Sequence, residues 1–181
     1  MRVSAVVLAL CALTLACSPA AEKASAPPAE AASAGQHLAK VPVVIRHQDG
    51  RAPTRLSIEL ALTKEQQERG LMHRTDLSPG DGMLFPMLPA RMPAFWMKDT
   101  PTSLDLIFIS MDARIVRIIA NTKPNDRTPL FAEDPVAGVL ELRGGDAGRL
   151  GIREGDRVLW GRCAQEAEPK PSAQADSFCP A

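Results

Sequence analysis

Leu104-Asp105-Leu106-Ile107-Phe108-Ile109, then Ser110-Met111-Asp112-Ala113-Arg114, then Ile115-Val116-Arg117-Ile118-Ile119-Ala120: this stretch decides the fold. The first six residues form a dense apolar run rich in branched and aromatic side chains, which reads as a strand. The polar segment Ser110–Arg114 is a turn, and Ile115–Ala120 returns as a second strand, making a hairpin. Upstream, Leu56-Ser57-Ile58-Glu59-Leu60-Ala61-Leu62 alternates with period two, which predicts a strand with Leu56, Ile58, Leu60 and Leu62 on one face. Thr63-Lys64-Glu65-Gln66-Gln67-Glu68-Arg69-Gly70 opens on an N-cap threonine, places Gln66 three residues on and ends in glycine, so it predicts a short capped helix. Downstream, Val136–Leu142 reads as a strand, Gly144–Gly151 as a turn or short helix, and Arg157–Gly161 as a last strand. No long amphipathic helix separates successive strands, which disfavours a parallel α/β sheet. The expected fold is a mainly β, compact single-domain sandwich or barrel over residues 41–162, with one or two short helices.

Composition narrows the functional classes. The chain has 181 residues with 21 Lys+Arg against 21 Asp+Glu. A zero net charge argues against nucleic acid as a partner, because phosphate binding draws on surplus cations. The three histidines, His37, His47 and His73, form no metal-ligand pair, and no nucleotide, nucleophile-elbow or CxxC motif occurs. No metal and no cofactor is implied.

The N-terminus predicts export. Arg2 precedes the apolar stretch Val3–Ala16, the pattern of a secretory signal over residues 1–16. Leu13-Thr14-Leu15-Ala16-Cys17-Ser18 resembles a bacterial lipoprotein signal, which makes Cys17 the expected lipidation site; the alternative is cleavage to a soluble periplasmic or secreted form. Residues 18–36 contain eight Ala and three Pro and no larger aliphatic side chain. Such a segment cannot offset the entropy of ordering, so 17–40 is expected to be a tether reaching roughly 25 Å as a coil. Ser18 rather than Asp after the cysteine resembles the outer-membrane class, giving an expected place on the periplasmic side of that membrane. Cys163 and Cys179 then remain in the tail, 163–181. In an oxidising compartment they are expected to pair, for about 3 kcal/mol. The segment between them lacks a core pattern and reads as a loose tail closed by a clip.

Several ordered segments carry a family resemblance: Gly70-Leu71-Met72-His73-Arg74, Asp81-Gly82-Met83-Leu84-Phe85, Phe95-Trp96-Met97-Lys98-Asp99-Thr100 and Leu104–Ile109. They continue in Val139-Leu140-Glu141-Leu142 and Gly151-Ile152-Arg153-Glu154-Gly155-Asp156-Arg157-Val158. Over residues 55–160 the chain resembles domain-of-unknown-function family 192, small and often exported prokaryotic domains. The resemblance implies a jelly-roll-like β sandwich and brings no activity. Asp99 stands where the family usually has Asn, and Ser103 where Pro usually precedes Leu-Asp.

The candidate site follows from the chemistry of those segments. Asp105 interrupts an apolar run, where an isolated buried carboxylate is costly. It therefore faces solvent or has a cationic partner, with Arg74 and Lys98 the candidates. Phe95–Lys98 reads as a strand. If Phe95 and Met97 point inward, Trp96 and Lys98 share the outer face and form a platform for a flat ligand or a sugar ring; in the opposite phase Trp96 is core. The expected ligand-binding groove comprises Met72, Arg74, Trp96, Lys98, Thr100 and Asp105, with no catalytic residue assigned. Its expected partner is a small molecule, a glycan or an envelope protein. Two rival readings are an envelope hydrolase with paired carboxylates among Glu59, Asp81, Asp105 and Glu141, and a copper(I) protein using Met72, His73, Met83, Met87, Met92 and Met97.

Overall fold

The computed structural model describes residues 37–166 and 172–179; the signal sequence, Cys17 and the tether up to Gln36 lie outside the described residues. The chain runs β1 (Lys40–Arg46), β2 (Thr54–Leu60), α1 (Lys64–Arg69), β3 (Gly82–Arg91), β4 (Leu104–Ile109), β5 (Ile115–Ile119) and β6 (Val136–Arg143). It continues through α2 (Asp146–Arg149), β7 (Arg157–Trp160), a 3-10 turn (Gly161–Ala164), β8 (Ser172–Gln174) and β9 (Ser177–Cys179). Among the described residues, nine strands belong to one sheet in the order β5-β4-β6-β3-β2-β1-β7-β9-β8. The fold is mainly β, as the periodicity predicts.

The sheet curls back on itself. The β4–β5 hairpin reaches β7 through Ile115 N–H to Asp156 O, Gly155 N–H to Ile115 O and Val158 N–H to Ala113 O, each 2.8 Å. The enclosed face carries one apolar cluster, with Val43, Ile45, Ile58, Leu84, Ile107, Leu140 and Trp160 at its centre. The outer face of β3, β4 and β6 carries a second cluster, in which Met83, Phe85, Leu106, Phe108 and Val139 are covered by Leu71, Leu77, Met97 and Ala132 from the loops. Burial on both faces is why Leu104–Ile109 is a continuous apolar run rather than an alternating one. At the end of β1, His47 is buried between Asp156 (2.8 Å) and the hydroxyl of Thr54 (2.9 Å), tying β1 to the entry of β7.

Helix α1 forms as its cap predicts. Gln66 N–H donates to Thr63 Oγ1 (3.2 Å) and Thr63 N–H donates to Gln66 Oε1 (2.9 Å). Gly70 ends the helix at φ +50°, where a Cβ would strain the backbone. The helix and the residues after it carry the chain from β2 into β3, which pair in parallel and so need a crossover rather than a tight turn.

Three expectations change, and one strand appears that the sequence did not predict. Leu62 does not extend the buried face of β2: the strand ends at Leu60, and Leu62 is half exposed as the backbone turns into the helix cap. Phe95–Lys98 is not a strand; Phe95 makes one isolated bridge to Leu130. A ten-residue strand, β3, occupies Gly82–Arg91 despite Pro86 and Pro89. It passes β6 so closely that a Cβ on Gly82 would lie 2.0 Å from the carbonyl of Glu141. Finally, the described part of the tail is not loose. Phe178 on β9 is fully buried and stacks on Trp160 at 4.4 Å, and Cys163 and Cys179 are disulfide-bonded. The bridge fastens an edge hairpin to the sheet.

Candidate functional site

Register across the outer face sets up the chemistry. Glu59 of β2 pairs with Met83 of β3, Met83 with Glu141 of β6, and Glu141 with Leu106 of β4. Directly opposed residues share a face, so the four side chains form one row across the sheet. Two of the four are carboxylates, and both are buried.

Their environments differ. Glu59 accepts from Arg74 Nη1 at 3.1 and 3.3 Å and from the Leu38 N–H at 2.9 Å, with His37 at 3.2 Å. Arg74, itself buried, donates from Nε to Asp76 at 2.6 Å. Burial alone would lower the pKa of Arg74, but its bonds to Asp76 and Glu59 outweigh that and raise it. Glu141 has no such partner: it makes no ion pair or side-chain hydrogen bond with any described residue, and burial pushes its carboxyl up to about 8. At neutral pH it holds a proton and can donate a hydrogen bond.

Glu141 opens onto a pocket of about 630 Å³. Phe85 and Met87 of β3 form the sheet side, Gly70–Met72 and Gln67 one wall, and Phe95, Trp96, Lys98 and Thr100 the other. The second wall is a loop held by the Phe95–Leu130 bridge and by Met97, whose side chain is buried in the outer cluster. With Met97 anchored inward, Trp96 is 51% exposed and Lys98 Nζ lies 5.7 Å from its ring centre. Thr100 donates from Oγ1 to Lys98 O at 3.0 Å. Phe85 and Phe95 meet edge to face at 5.1 Å and close the inner end. The pocket is thus mixed in character: Leu71, Met72, Phe85, Met87, Phe95 and Trp96 supply apolar surface, Glu141 is one neutral acid inside, and Lys64, Glu68, Arg69, Arg91 and Lys98 are among the residues around it.

Of the six residues read from sequence, Met72, Trp96, Lys98 and Thr100 line this pocket, while Arg74 and Asp105 do not. Asp105 neither faces solvent nor pairs with Arg74 or Lys98. Fully buried, it accepts from the N–H groups of Asn121 (2.7 Å), Gly145 (3.0 Å) and Ala147 (2.8 Å). Those amides lie at the start of α2 and after β5, where no strand partner uses them, so the carboxylate is a backbone clamp. Arg74 is committed to Glu59 and Asp76.

The rival constellations are dispersed. Three of the four carboxylates named for a hydrolase are engaged elsewhere: Glu59 with Arg74, Asp81 with Lys40 at 3.0 Å, and Asp105 with backbone amides. Glu59 and Glu141 are roughly 10 Å apart, two strand spacings, with buried Met83 between them. Among the copper candidates, Met83, Met87 and Met97 are buried in the outer cluster, whereas Met92 is 56% exposed. Met87 Sδ accepts from Arg91 Nε at 3.0 Å and Met97 Sδ from Thr122 Oγ1 at 3.1 Å. Among the described residues no three His, Cys, Asp or Glu side chains gather where a metal could sit.

Comparison with known proteins places the fold among uncharacterised relatives. The sequence model of the family DUF192, described as an uncharacterized group, matches residues 44–160. A protein from Sinorhizobium meliloti 1021, described as a proposed transcription regulator, has a crystal structure similar to this chain. The two are 38% identical with a TM-score of 0.65, over 69% of this chain and 96% of that one. A protein of unknown function from Novosphingobium aromaticivorans DSM 12444 is 43% identical with a TM-score of 0.63, over 75% of this chain and 93% of that one. No curated protein matches the chain.

Proposed function

The chain belongs to the DUF192 family, and from that premise and the pocket's geometry we propose that it is a binding or accessory module whose pocket takes a small molecule with an apolar body. One observation carries this reading: segments far apart in the chain, Gly70–Met72, Phe85, Phe95–Thr100 and Glu141, all contribute to the walls of one cavity. Concave apolar surface with a few polar groups suits a small ligand, and Trp96 offers a flat face at the mouth. A glycan ring or a side chain of an envelope protein could occupy the same space. The description of the Sinorhizobium protein is not extended to this chain, since 21 basic against 21 acidic side chains leave no cationic surplus for nucleic acid.

The test uses methyl NMR of the methionines. Titration with 1,8-octanediol is expected to shift the Met72 and Met87 methyl signals saturably, to leave Met111 on the β4–β5 turn unchanged, and to weaken about tenfold in Trp96→Ala. No saturable shift, or equal shifts at all three methionines, would remove the pocket as a binding site.

We propose further that the domain is exported and held by lipid on Cys17 at the periplasmic side of the outer membrane. The order of Arg2, the apolar stretch Val3–Ala16 and Cys17 supports this, as does the Cys163–Cys179 disulfide, which suits an oxidising compartment. Labelled fatty acid fed to the producing cells should enter the full chain and be absent from Cys17→Ser. Equal labelling of both proteins would exclude Cys17 as the anchor.

A further inference from the structure

Three side chains on the outer face of β3, Met83, Phe85 and Met87, run in line because alternate residues of a strand share a face. Met83 is the register partner of Glu141, so one end of this line holds a carboxyl group. At the other end, Arg91 donates from Nε to Met87 Sδ at 3.0 Å and from Nη2 to Gln67 Oε1 at 2.8 Å. Both partners are neutral. Arg91 is therefore fixed in place with its charge uncompensated by them, and its Nη1 edge makes no side-chain hydrogen bond with a described residue. Lys64 lies 3.5 Å from Glu68 and Lys98 3.8 Å from Asp99, whereas Arg69, like Arg91, has no ion pair with a described residue but lacks the side-chain hydrogen bonds that hold Arg91. Met83 to Met87 spans roughly 13 Å of strand, with Phe85 between.

Resting on the reading of this cavity as a ligand site, we propose that it selects small carboxylates that carry a neutral oxygen at the far end of an apolar chain. The carboxylate seats on Arg91, the chain crosses Phe85, and the distal hydroxyl or carbonyl oxygen accepts a hydrogen bond from Glu141. A guanidinium held by neutral groups presents its remaining N–H groups to a carboxylate in a fixed geometry. A cationic ligand would instead have to pass Lys64, Arg69, Arg91 and Lys98 against the single rim carboxylate Glu68.

Binding then depends on the protonation of Glu141. The charged groups around it are Arg143 on β6, Glu59 with Arg74 beyond Met83, Glu68, Arg69 and Lys64 at α1, Arg91 on β3, and Lys98 on the loop. Strand β4 turns only Leu104, Leu106 and Phe108 to that face. The buried acid, raised to about 8, donates a hydrogen bond at pH 6.5; ionised at pH 9.5 it can only accept, so it repels a carbonyl oxygen while a hydroxyl can turn to donate to it.

Calorimetric titration with 8-hydroxyoctanoate, 7-oxooctanoate, 1,8-octanediol and 8-amino-1-octanol tests this on the folded chain. At pH 6.5, 8-hydroxyoctanoate and 7-oxooctanoate are each expected to bind at least tenfold tighter than the diol or the amine, and Arg91→Met to erase that preference. Between pH 6.5 and 9.5 the wild type should lose about tenfold in affinity for 7-oxooctanoate, whose carbonyl can only accept, whereas Glu141→Gln, which still donates, should not. Diol binding without a gain for the hydroxyacid would overturn the selectivity and leave the cavity a ligand site. Tightest binding of the amine, strengthening above pH 8, would also overturn it by making Glu141 a counter-ion. If no probe binds, the cavity itself fails as a ligand site.

Discussion

Asp105→Ala is expected to cost roughly 2 to 5 kcal/mol of folding stability, a large share of what holds a domain of this size together. The carboxylate is fully buried and accepts three backbone N–H groups, from Asn121, Gly145 and Ala147. The Ala147 N–H would be left buried without a partner and the other two partly so; a buried orphan donor costs about 1–3 kcal/mol, against a total domain stability of about 5–15 kcal/mol. Asp105→Asn should fall between alanine and wild type, because its carbonyl oxygen can retain the Asn121 and Gly145 bonds while its amide group confronts the Ala147 N–H. Urea denaturation midpoints at constant m-value measure all three proteins. A loss below about 1 kcal/mol in the alanine variant would mean that water substitutes for the clamp.

Glu141→Gln is expected to act in the opposite direction and with a pH signature. The folded carboxyl is raised to about 8 from an ordinary value of 4.5. Below pH 4.5 both folded and unfolded chains hold the proton, and no penalty exists. Between 4.5 and 8 the unfolded chain ionises while the folded one does not, so folding stability falls as pH rises. Above 8 both are ionised and the loss levels off. With about 1.4 kcal/mol lost for each pH step of one across that window, the total is several kcal/mol. Glutamine has nearly the same shape and does not titrate. Its melting temperature should exceed that of the wild type by at least about 5 °C at pH 9, with a much smaller difference at pH 4.5. Scanning calorimetry at the two pH values decides the matter: an equal difference at both would show that Glu141 does not titrate in that window.

The elements legible in the sequence are those whose determinants are local. Thr63, Gln66 and Gly70 contain all the groups that start and stop α1, and the polar turn between Ile109 and Ile115 announces its hairpin. β3 was not legible, because Pro86 and Pro89 argue against a strand, while the pairing that tolerates them shifts register between Pro86 and Arg91. The tail was not legible either: Phe178 is one apolar residue among polar ones, and its burial depends on Trp160, many residues earlier. The site divides in the same way. Trp96 and Lys98 follow from a local phase, once Met97 is inward. The roles of Arg74 and Asp105 depend on partners the spacing does not announce, a carboxylate on β2 and amides around α2. Glu141 was legible only as one of several carboxylates. Alternation says that a side chain faces one side of a sheet, but not that loops have covered that side.

The strand order carries a consequence for how the chain reaches this fold. β6 is inserted between β3 and β4, and β1 lies between β2 and β7. Most adjacent pairs therefore join residues distant along the chain, as in Val43 opposite Trp160. Such pairings place loop-closure entropy ahead of the contacts that offset it, which puts folding in the millisecond-to-second range rather than microseconds. Until β6 and β7 have been made and docked, β3, β4 and β1 each present a bare apolar edge. For a chain emerging from a ribosome or a membrane pore, the interval in which these edges are open to aggregation lasts until residue 160 has arrived.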